Sequence, residues 1–380
     1  MRKVLFWMHL AVGVSVGIVV LIMSLTGVLL MYEKQMIAWA DRSVSQVAPV
    51  ALEKHLPLES LLAGVVSQKQ RSPESVTVRA DAAAAVEVSF GKAGLVYVHP
   101  ETGEILGEGG NALRQFFQST KEWHRWLGKS APANRAVTGA CNLAFVFLIC
   151  SGLFLWLPRQ WRWQNVRAVL FFRRGLNQRA RNFNWHNVLG IWCAIPLLVM
   201  AATAAFFSYP WATVLLHRIT GEAPPAASAP KTNAVAEKGR TEVNLNGWNA
   251  ALQTAVQQNT GWQTIILRLP AAADAPAGAS VERGHWGRPD LRSQLTIDRR
   301  SGQVLRSETF GDLTLARKIR MWIRTVHTGE AGGLPGQTLA GVASLGGVVL
   351  AWTGLALSWR RFRSWRSVRR QARMEQFVRS

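Results

Sequence analysis

Cysteine is scarce in this chain of 380 residues, and the three present, Cys141, Cys150 and Cys193, all lie inside apolar runs. An exported disulfide framework is thereby excluded, and the three read as small packing residues. No Cys-x-x-Cys-His occurs, which excludes covalent haem of the c type. No glycine-rich dinucleotide loop appears, and the segments with the right charge to be cytoplasmic are too short to form one. Acidic side chains are missing where basic ones crowd. Residues 158–185 carry seven arginines and no acid, and residues 360–380 carry eight arginines against Glu375 alone.

The net charge of +22 would by itself suggest nucleic acid. Its placement argues otherwise. Four apolar stretches, roughly 4–32, 136–157, 187–209 and 336–359, have close to the ~20 residues that cross ~30 Å of hydrocarbon. The excess charge flanks them, at Arg2 and Lys3, in 158–185 and after 359. The two long connections are nearly balanced, with eleven basic and eleven acidic residues in 33–134 and fifteen against ten in 210–334. This is the positive-inside pattern. The expected plan is a multi-pass protein of a bacterial inner membrane with both termini cytoplasmic. Its segments are 1–32, 135–157, 186–209 and 335–359 in the membrane, 33–134 and 210–334 outside, and 158–185 and 360–380 inside. The basic segments then face anionic lipid, and nucleic acid is not an expected partner. Ala38-Trp39-Ala40 has the form of a cleavage site, but the first apolar run is longer than a signal-peptide core and reads as a retained helix.

The chain looks duplicated. His9 lies 17 residues before Thr26-Gly27, and His186 lies 17 before Thr203-Ala204. His124 lies 28 before Gly152 in Ser151-Gly152, and His327 lies 27 before Gly354 in Thr353-Gly354. In the connections, 96–106 and 295–305 both read as strand, glycine turn, strand. Short helices are expected at 57–68 and 246–258, with strands at 76–80, 85–90 and 263–269. Residues 221–240 and 271–280 read as linkers. The expected fold class is a mainly α membrane protein, with four transmembrane helices in two parallel pseudo-repeats and two small α+β domains outside. Parallel repeats imply an axis along the membrane normal. It would pair His9 with His186 at the cytoplasmic end and His124 with His327 at the outer end.

Ionisable residues at membrane depth are rare and usually functional. A lone histidine at a helix end is commonly an interfacial hydrogen-bonding group. Four at matched spacings fit a second use, as axial ligands of two b-type haems held between facing helices. His124 and His327 precede their apolar runs and are expected on short interfacial helices. Arg125 and Arg324 suit carboxylates at the outer pair, and Lys3 and Arg181 at the inner one, although arginine at helix ends is expected in any case. His55 and His99 read as solvated, and His217 as interfacial or covering the outer pair. Trp248, Trp262 and Trp286 lie outside the membrane belt and are candidates, with His285, for a binding surface.

The segments Met8-His9-Leu10, Trp123-His124-Arg125-Trp126-Leu127-Gly128, Ser151 to Arg159 and Trp185-His186-Asn187-Val188-Leu189-Gly190, with the two hairpin units, resemble the PepSY-associated transmembrane family over nearly the whole chain. His327 departs from the pattern, being followed by Thr328-Gly329-Glu330. The resemblance implies PepSY-like outer domains, haem, and a ferrisiderophore reductase of the ferrioxamine reductase type. Its substrate would be a ferric hydroxamate, a hard oxygen chelate. Electrons would come from a cytoplasmic reductase, a flavin or quinol. In that reading the cofactor carries the reaction and no side chain performs acid–base catalysis. A siderophore or iron permease and a regulator of an exported partner are the rival readings.

Overall fold

The computed structural model describes residues 1–158, 160–224, 244–269 and 275–379. Arg159 and most of the 221–240 linker lie outside them. In chain order the helices are α1 (Arg2–Leu30), α2 (Glu33–Ala40), α3 (Arg42–Ser45), α4 (Leu58–Lys69), α5 (Asn111–Trp126), α6 (Pro132–Trp156) and α7 (Trp163–Leu170). They continue as α8 (Gln178–Trp192), α9 (Ala194–Ser208), α10 (Pro210–Ile219), α11 (Trp248–Gln258), α12 (Leu315–His327) and α13 (Gly333–Arg379). The strands are β1 (Ser75–Arg79), β2 (Val86–Ser89), β3 (Leu95–Val98), β4 (Ile105–Glu108), β5 (Thr264–Arg268), β6 (Ala277–Glu282), β7 (Arg292–Ile297) and β8 (Val304–Thr309). The chain divides into two compact units.

One unit is helical and holds residues 1–32, 117–215 and 326–380. Three of its helices, α1, α6 and the stretch containing α13, are long and apolar enough to cross a membrane, and α8 with α9 forms a further candidate bent by 65°. The bend has a sequence cause. Pro196 has no N–H to give the carbonyl of Trp192, so the helix breaks at Cys193. Small residues let the helices approach closely. A Cβ at Gly17 would come within 2.9 Å of Leu355, and one at Gly347 within 2.8 Å of the Ser24 hydroxyl. The buried Asn142 amide donates to the Ala201 carbonyl at 2.9 Å, tying α6 to α9 where no water competes. The 158–185 segment is not a bare loop. Asn184 accepts from the Arg173 amide and donates to the Ala168 and Phe171 carbonyls, fastening α7 against α8.

The other unit holds residues 33–116 and 216–325. Each sequence segment supplies four strands, and they join into a single eight-stranded antiparallel sheet, ordered β4-β3-β2-β1-β5-β6-β7-β8. The two segments therefore make one body, where two domains were expected. The seam is β1 with β5, where Thr77 faces Ile266. Its alternate residues Val76, Val78, Ile265 and Leu267 are almost fully buried, in one core with Leu61 and Leu62 of α4 and Trp248 and Leu252 of α11. Each such aliphatic residue contributes about 1.5–3 kcal/mol on burial, so parting the seam would forfeit several kcal/mol. Residues 277–280, read as part of a linker, begin β6. The two hairpins repeat in detail. Gly103 (φ 74°) and Gly302 (φ 70°) occupy the left-handed turn position, and both hairpins shift register at corresponding residues, Tyr97/Val98 and Thr296/Ile297.

Candidate functional site

Both helices that carry the later histidines end just where those residues are needed. α5 stops at Trp126, two residues after His124, with Leu127 (φ 53°) and Gly128 (φ 122°) turning the chain into α6. α12 stops at His327 itself, and Gly329 (φ 71°) turns it into α13. The departure from the family pattern after His327 is thus a shorter last turn. A Cβ on Gly329 would meet the Gly336 carbonyl at 2.4 Å, so only glycine fits there.

The rings of His124 and His327 come together, with centroids 6.5 Å apart and planes at 61°. His9 and His186 lie within electrostatic range of each other. The four imidazoles are half-buried and each rests on a hydroxyl of another helix. His9 Nδ1 is 2.8 Å from Ser151 Oγ of α6, and His124 Nδ1 is 3.0 Å from Thr26 Oγ1 of α1. His186 Nδ1 is 3.0 Å from Thr353 Oγ1 of α13, and His327 Nδ1 is 3.1 Å from Thr203 Oγ1 of α9. Beside three of these hydroxyls stands a glycine. A Cβ built on Gly27, Gly152 or Gly354 would touch the Cε1 of His124, His9 or His186 at 3.4–3.5 Å. The corresponding position at the fourth seat is Ala204.

The partners decide the tautomer. Each hydroxyl donates its single proton to the carbonyl four residues back in its own helix: Thr26 to Ile22, Ser151 to Phe147, Thr203 to Val199 and Thr353 to Val349, all at 2.7 Å. The hydroxyl oxygen then accepts, and Nδ1–H of the imidazole donates. At two seats a carbonyl enforces this, since it can only accept: Met23 O is 3.0 Å from His124 Nδ1, and Met200 O is 2.9 Å from His327 Nδ1. Nδ1–H leaves Nε2 with a free lone pair, the form that binds a metal, and second partners of this kind orient metal-ligating histidines.

The spacing of the second pair matches the same use. Two metal–imidazole bonds of about 2 Å laid end to end, with roughly 1 Å from each nitrogen to its ring centre, separate opposed rings by roughly 6 Å. Among the described residues no group of three or more His, Cys, Asp or Glu converges. One orphan donor adds to the first pair. Trp156 Nε1 is buried without a partner among the described residues, four residues after Gly152 and hence on the α6 face that meets His9. The paired imidazoles would therefore suit a group whose metal is held by two histidines, with the Trp156 donor available to an acceptor on it.

The remaining candidates separate. Arg125 lies 4.7 Å over the Trp126 ring and Arg181 5.8 Å over Trp185, while Lys3 and Arg324 are exposed. His99 Nδ1 accepts from the amides of Glu101 and Thr102 and so organises its own turn. His55 lies near His99, and burial pulls its pKa below the usual value. His217 is buried 3.5 Å from Glu222. Trp248 is 1% exposed and belongs to the sheet core, so it lines no binding surface, and Trp262 packs against the same core. Trp286 stays exposed, with Lys34 Nζ 5.1 Å from its ring centre, and His285 Nδ1 accepts from the Gly287 amide. The hydroxyl seats and Trp156 were not recognised as functional from sequence. Ser151, Thr26, Thr203 and Thr353 were visible only as landmarks of the repeat.

The family model described as PepSY-associated TM region matches residues 6–361. No curated protein matches the chain.

Proposed function

The chain belongs to the PepSY-associated TM family, and from that premise we propose that it is an inner-membrane ferrisiderophore reductase holding two haems of b type. It takes electrons from a cytoplasmic reductase, a flavin or quinol. It delivers them to a ferric hydroxamate siderophore on the periplasmic side, where the weaker ferrous complex releases its iron. The four-span layout of two parallel repeats, with cytoplasmic termini and both connections periplasmic, is part of the proposal, and the arginine distribution supports it. His9 and His186 would hold the cytoplasmic haem, and His124 and His327 the periplasmic one.

The observation that carries this reading is the set of four Nδ1–H imidazoles seated on hydroxyls, with the His124–His327 rings 6.5 Å apart. Haem, when bound, supplies one-electron chemistry that no side chain here provides. The protein's own work is to fix ligand orientation, exclude water through the packed helices and place donors for the peripheral carboxylates. Trp156 is the best placed of these for the cytoplasmic haem. Arg125 and Arg324 remain weaker candidates for the periplasmic one, and Trp286 with His285 for the substrate.

Purified protein should show a reducible b-type spectrum and two haems per chain by pyridine haemochrome. The reduced form should reoxidise on adding a ferric hydroxamate. Absence of haem in protein made with ample haem supply would refute the reading. A siderophore or iron permease is favoured by one observation, the 65° break between α8 and α9, because transporters build midplane sites on broken helices. Uptake into vesicles that contain no electron donor would establish that reading instead.

A further inference from the structure

The four histidine seats are not equally built. At two of them the Nδ1–H group has a second acceptor, the carbonyl three residues before the hydroxyl. Met23 serves His124 and Met200 serves His327. A carbonyl cannot donate, so these two rings keep Nδ1 protonated and Nε2 free even if the hydroxyl is removed. His9 and His186 lack that support, and His186 rests on Thr353 Oγ1 at 3.0 Å. The one hydrogen-bond partner of His9 among the described residues is Ser151 Oγ at 2.8 Å. Ser151 acts as an acceptor because its own proton goes to Phe147 O at 2.7 Å, with Leu148 O at 3.3 Å.

We propose that Ser151 and Thr353 are the positioning residues on which the cytoplasmic haem site depends, each the one group that fixes the tautomer and ring angle of its histidine, whereas Thr26 and Thr203 are backed by main-chain carbonyls. The inference rests on the haem reading above. With Ser151 gone, nothing holds the His9 proton on Nδ1, and the ring is free to take the other tautomer, which cannot ligate through Nε2. A ligand histidine that loses its partner also becomes less basic, and weaker donation raises the reduction potential of the metal.

The test compares Ser151→Ala with Thr353→Val, Thr26→Val and Thr203→Val in the full chain in detergent. Haem per chain, low-spin electron paramagnetic resonance signals and midpoint potentials are measured, with Ser151→Thr as the conservative control. Ser151→Ala should lose one of two haems, or retain it with an altered low-spin signal and a midpoint shifted upward. Thr353→Val should behave in the same way, Thr26→Val and Thr203→Val should keep two haems with small shifts, and Ser151→Thr should restore the wild-type signal. An intact periplasmic haem signal in Ser151→Ala reports that the bundle has folded. Unchanged stoichiometry, signals and potentials in Ser151→Ala and Thr353→Val would overturn the proposal. So would a Thr26→Val or Thr203→Val variant as impaired as Ser151→Ala. A wild-type protein that binds no haem would bring down the haem reading first and this inference with it, so the two failures are distinguishable.

Discussion

Replacing the histidines singly and in pairs separates two sites from one. Helix α1 carries His9 and, seventeen positions later, the Thr26 seat of His124. At 1.5 Å per residue that is about 25 Å, most of the ~30 Å hydrocarbon thickness. Sites that far apart should respond independently, since coupling between substitutions normally fades beyond about 7–10 Å. His124→Ala should therefore lower haem content from two per chain to one, and His327→Ala should do the same. The double variant His124→Ala/His327→Ala should also keep one, because both ligands serve one group. Combining His124→Ala with His9→Ala should leave none. Pyridine haemochrome per chain reads all four, and the surviving haem in the single variants reports that the bundle has folded. If the His124/His327 double variant lost both haems, or His124→Ala kept two, the assignment of these pairs would be refuted.

Two further perturbations follow from single contacts. The Asp41 carboxylate, 1% exposed, accepts from Tyr97 Oη at 2.9 Å, the Gly110 amide at 2.7 Å and Arg114 Nη2 at 2.5 Å. Asp41→Ala strands these donors and should cost about 3 kcal/mol, near the lower end for breaking a buried pair, because Arg114 keeps some contact with water. Burial raises the Asp41 pKa, but the Arg114, Gly110 and Tyr97 bonds outweigh it and hold it low, while burial first, then the negative charge of Glu87 and Asp41, pushes Tyr97 up to about 12. A depressed carboxyl contributes fully above its unfolded value of about 4 and loses that contribution as pH falls through the folded one. The raised tyrosine contributes fully below about 10 and loses it as pH climbs toward 12. Protection of the β3–β4 peptides from hydrogen exchange in the full chain, taken relative to the intrinsic rate at each pH, should thus be greatest in between and low at all pH values in Asp41→Ala; a flat protection profile in the wild type would contradict this. Trp156→Phe keeps the ring and removes the orphan donor. If that donor bonds a carboxylate of the haem, worth about 1.5–3 kcal/mol, transfer of one haem to apomyoglobin should accelerate roughly ten- to hundredfold. An unchanged transfer rate would remove Trp156 from the site.

Much of the site was legible because it is written in residue identity and spacing. Histidine in an apolar run is conspicuous, and equal offsets of 17 expose the duplication without any structure. What those offsets measure was not legible. The hydroxyl that follows His9 at position 26 does not seat His9; it seats His124, and Ser151 seats His9. Contacts between residues 142 and 98 positions apart depend on how α1 and α6 pack, which periodicity within a helix does not encode. The sheet shows the same limit. Hairpins are local and were read from their glycine turns, whereas the β1–β5 seam joins segments nearly two hundred residues apart. Strand β6 was missed because Ala277-Gly278-Ala279-Ser280 has no bulky residue to betray a strand, and those small side chains are what the crowded core beneath α11 accepts. Trp248 misled for a related reason: an aromatic outside the membrane belt can equally be the centre of a soluble core, and its burial decides the matter.

The division of labour between seats and pairs explains why a duplicated chain suits this chemistry. Every hydroxyl–histidine contact lies within one half of the sequence: His9 with Ser151 and His124 with Thr26 in the first, His186 with Thr353 and His327 with Thr203 in the second. Each half is a reciprocal clip, in which the hydroxyl that seats each histidine follows the other one along the chain: Thr26 follows His9 within α1, while Ser151 follows His124, Thr203 follows His186 and Thr353 follows His327 on the next helix. The pairing is the reverse, since His124 meets His327 only across the two halves. On the haem reading, a single half would orient two imidazoles at two depths but would offer one ligand at each. Two halves would offer both ligands at both depths. On this argument the seats determine whether each ligand is competent, and the packing of one half on the other determines whether a site exists. Damage to a seat should leave a site with one weakened ligand, whereas damage to the contact between halves should abolish both haems together.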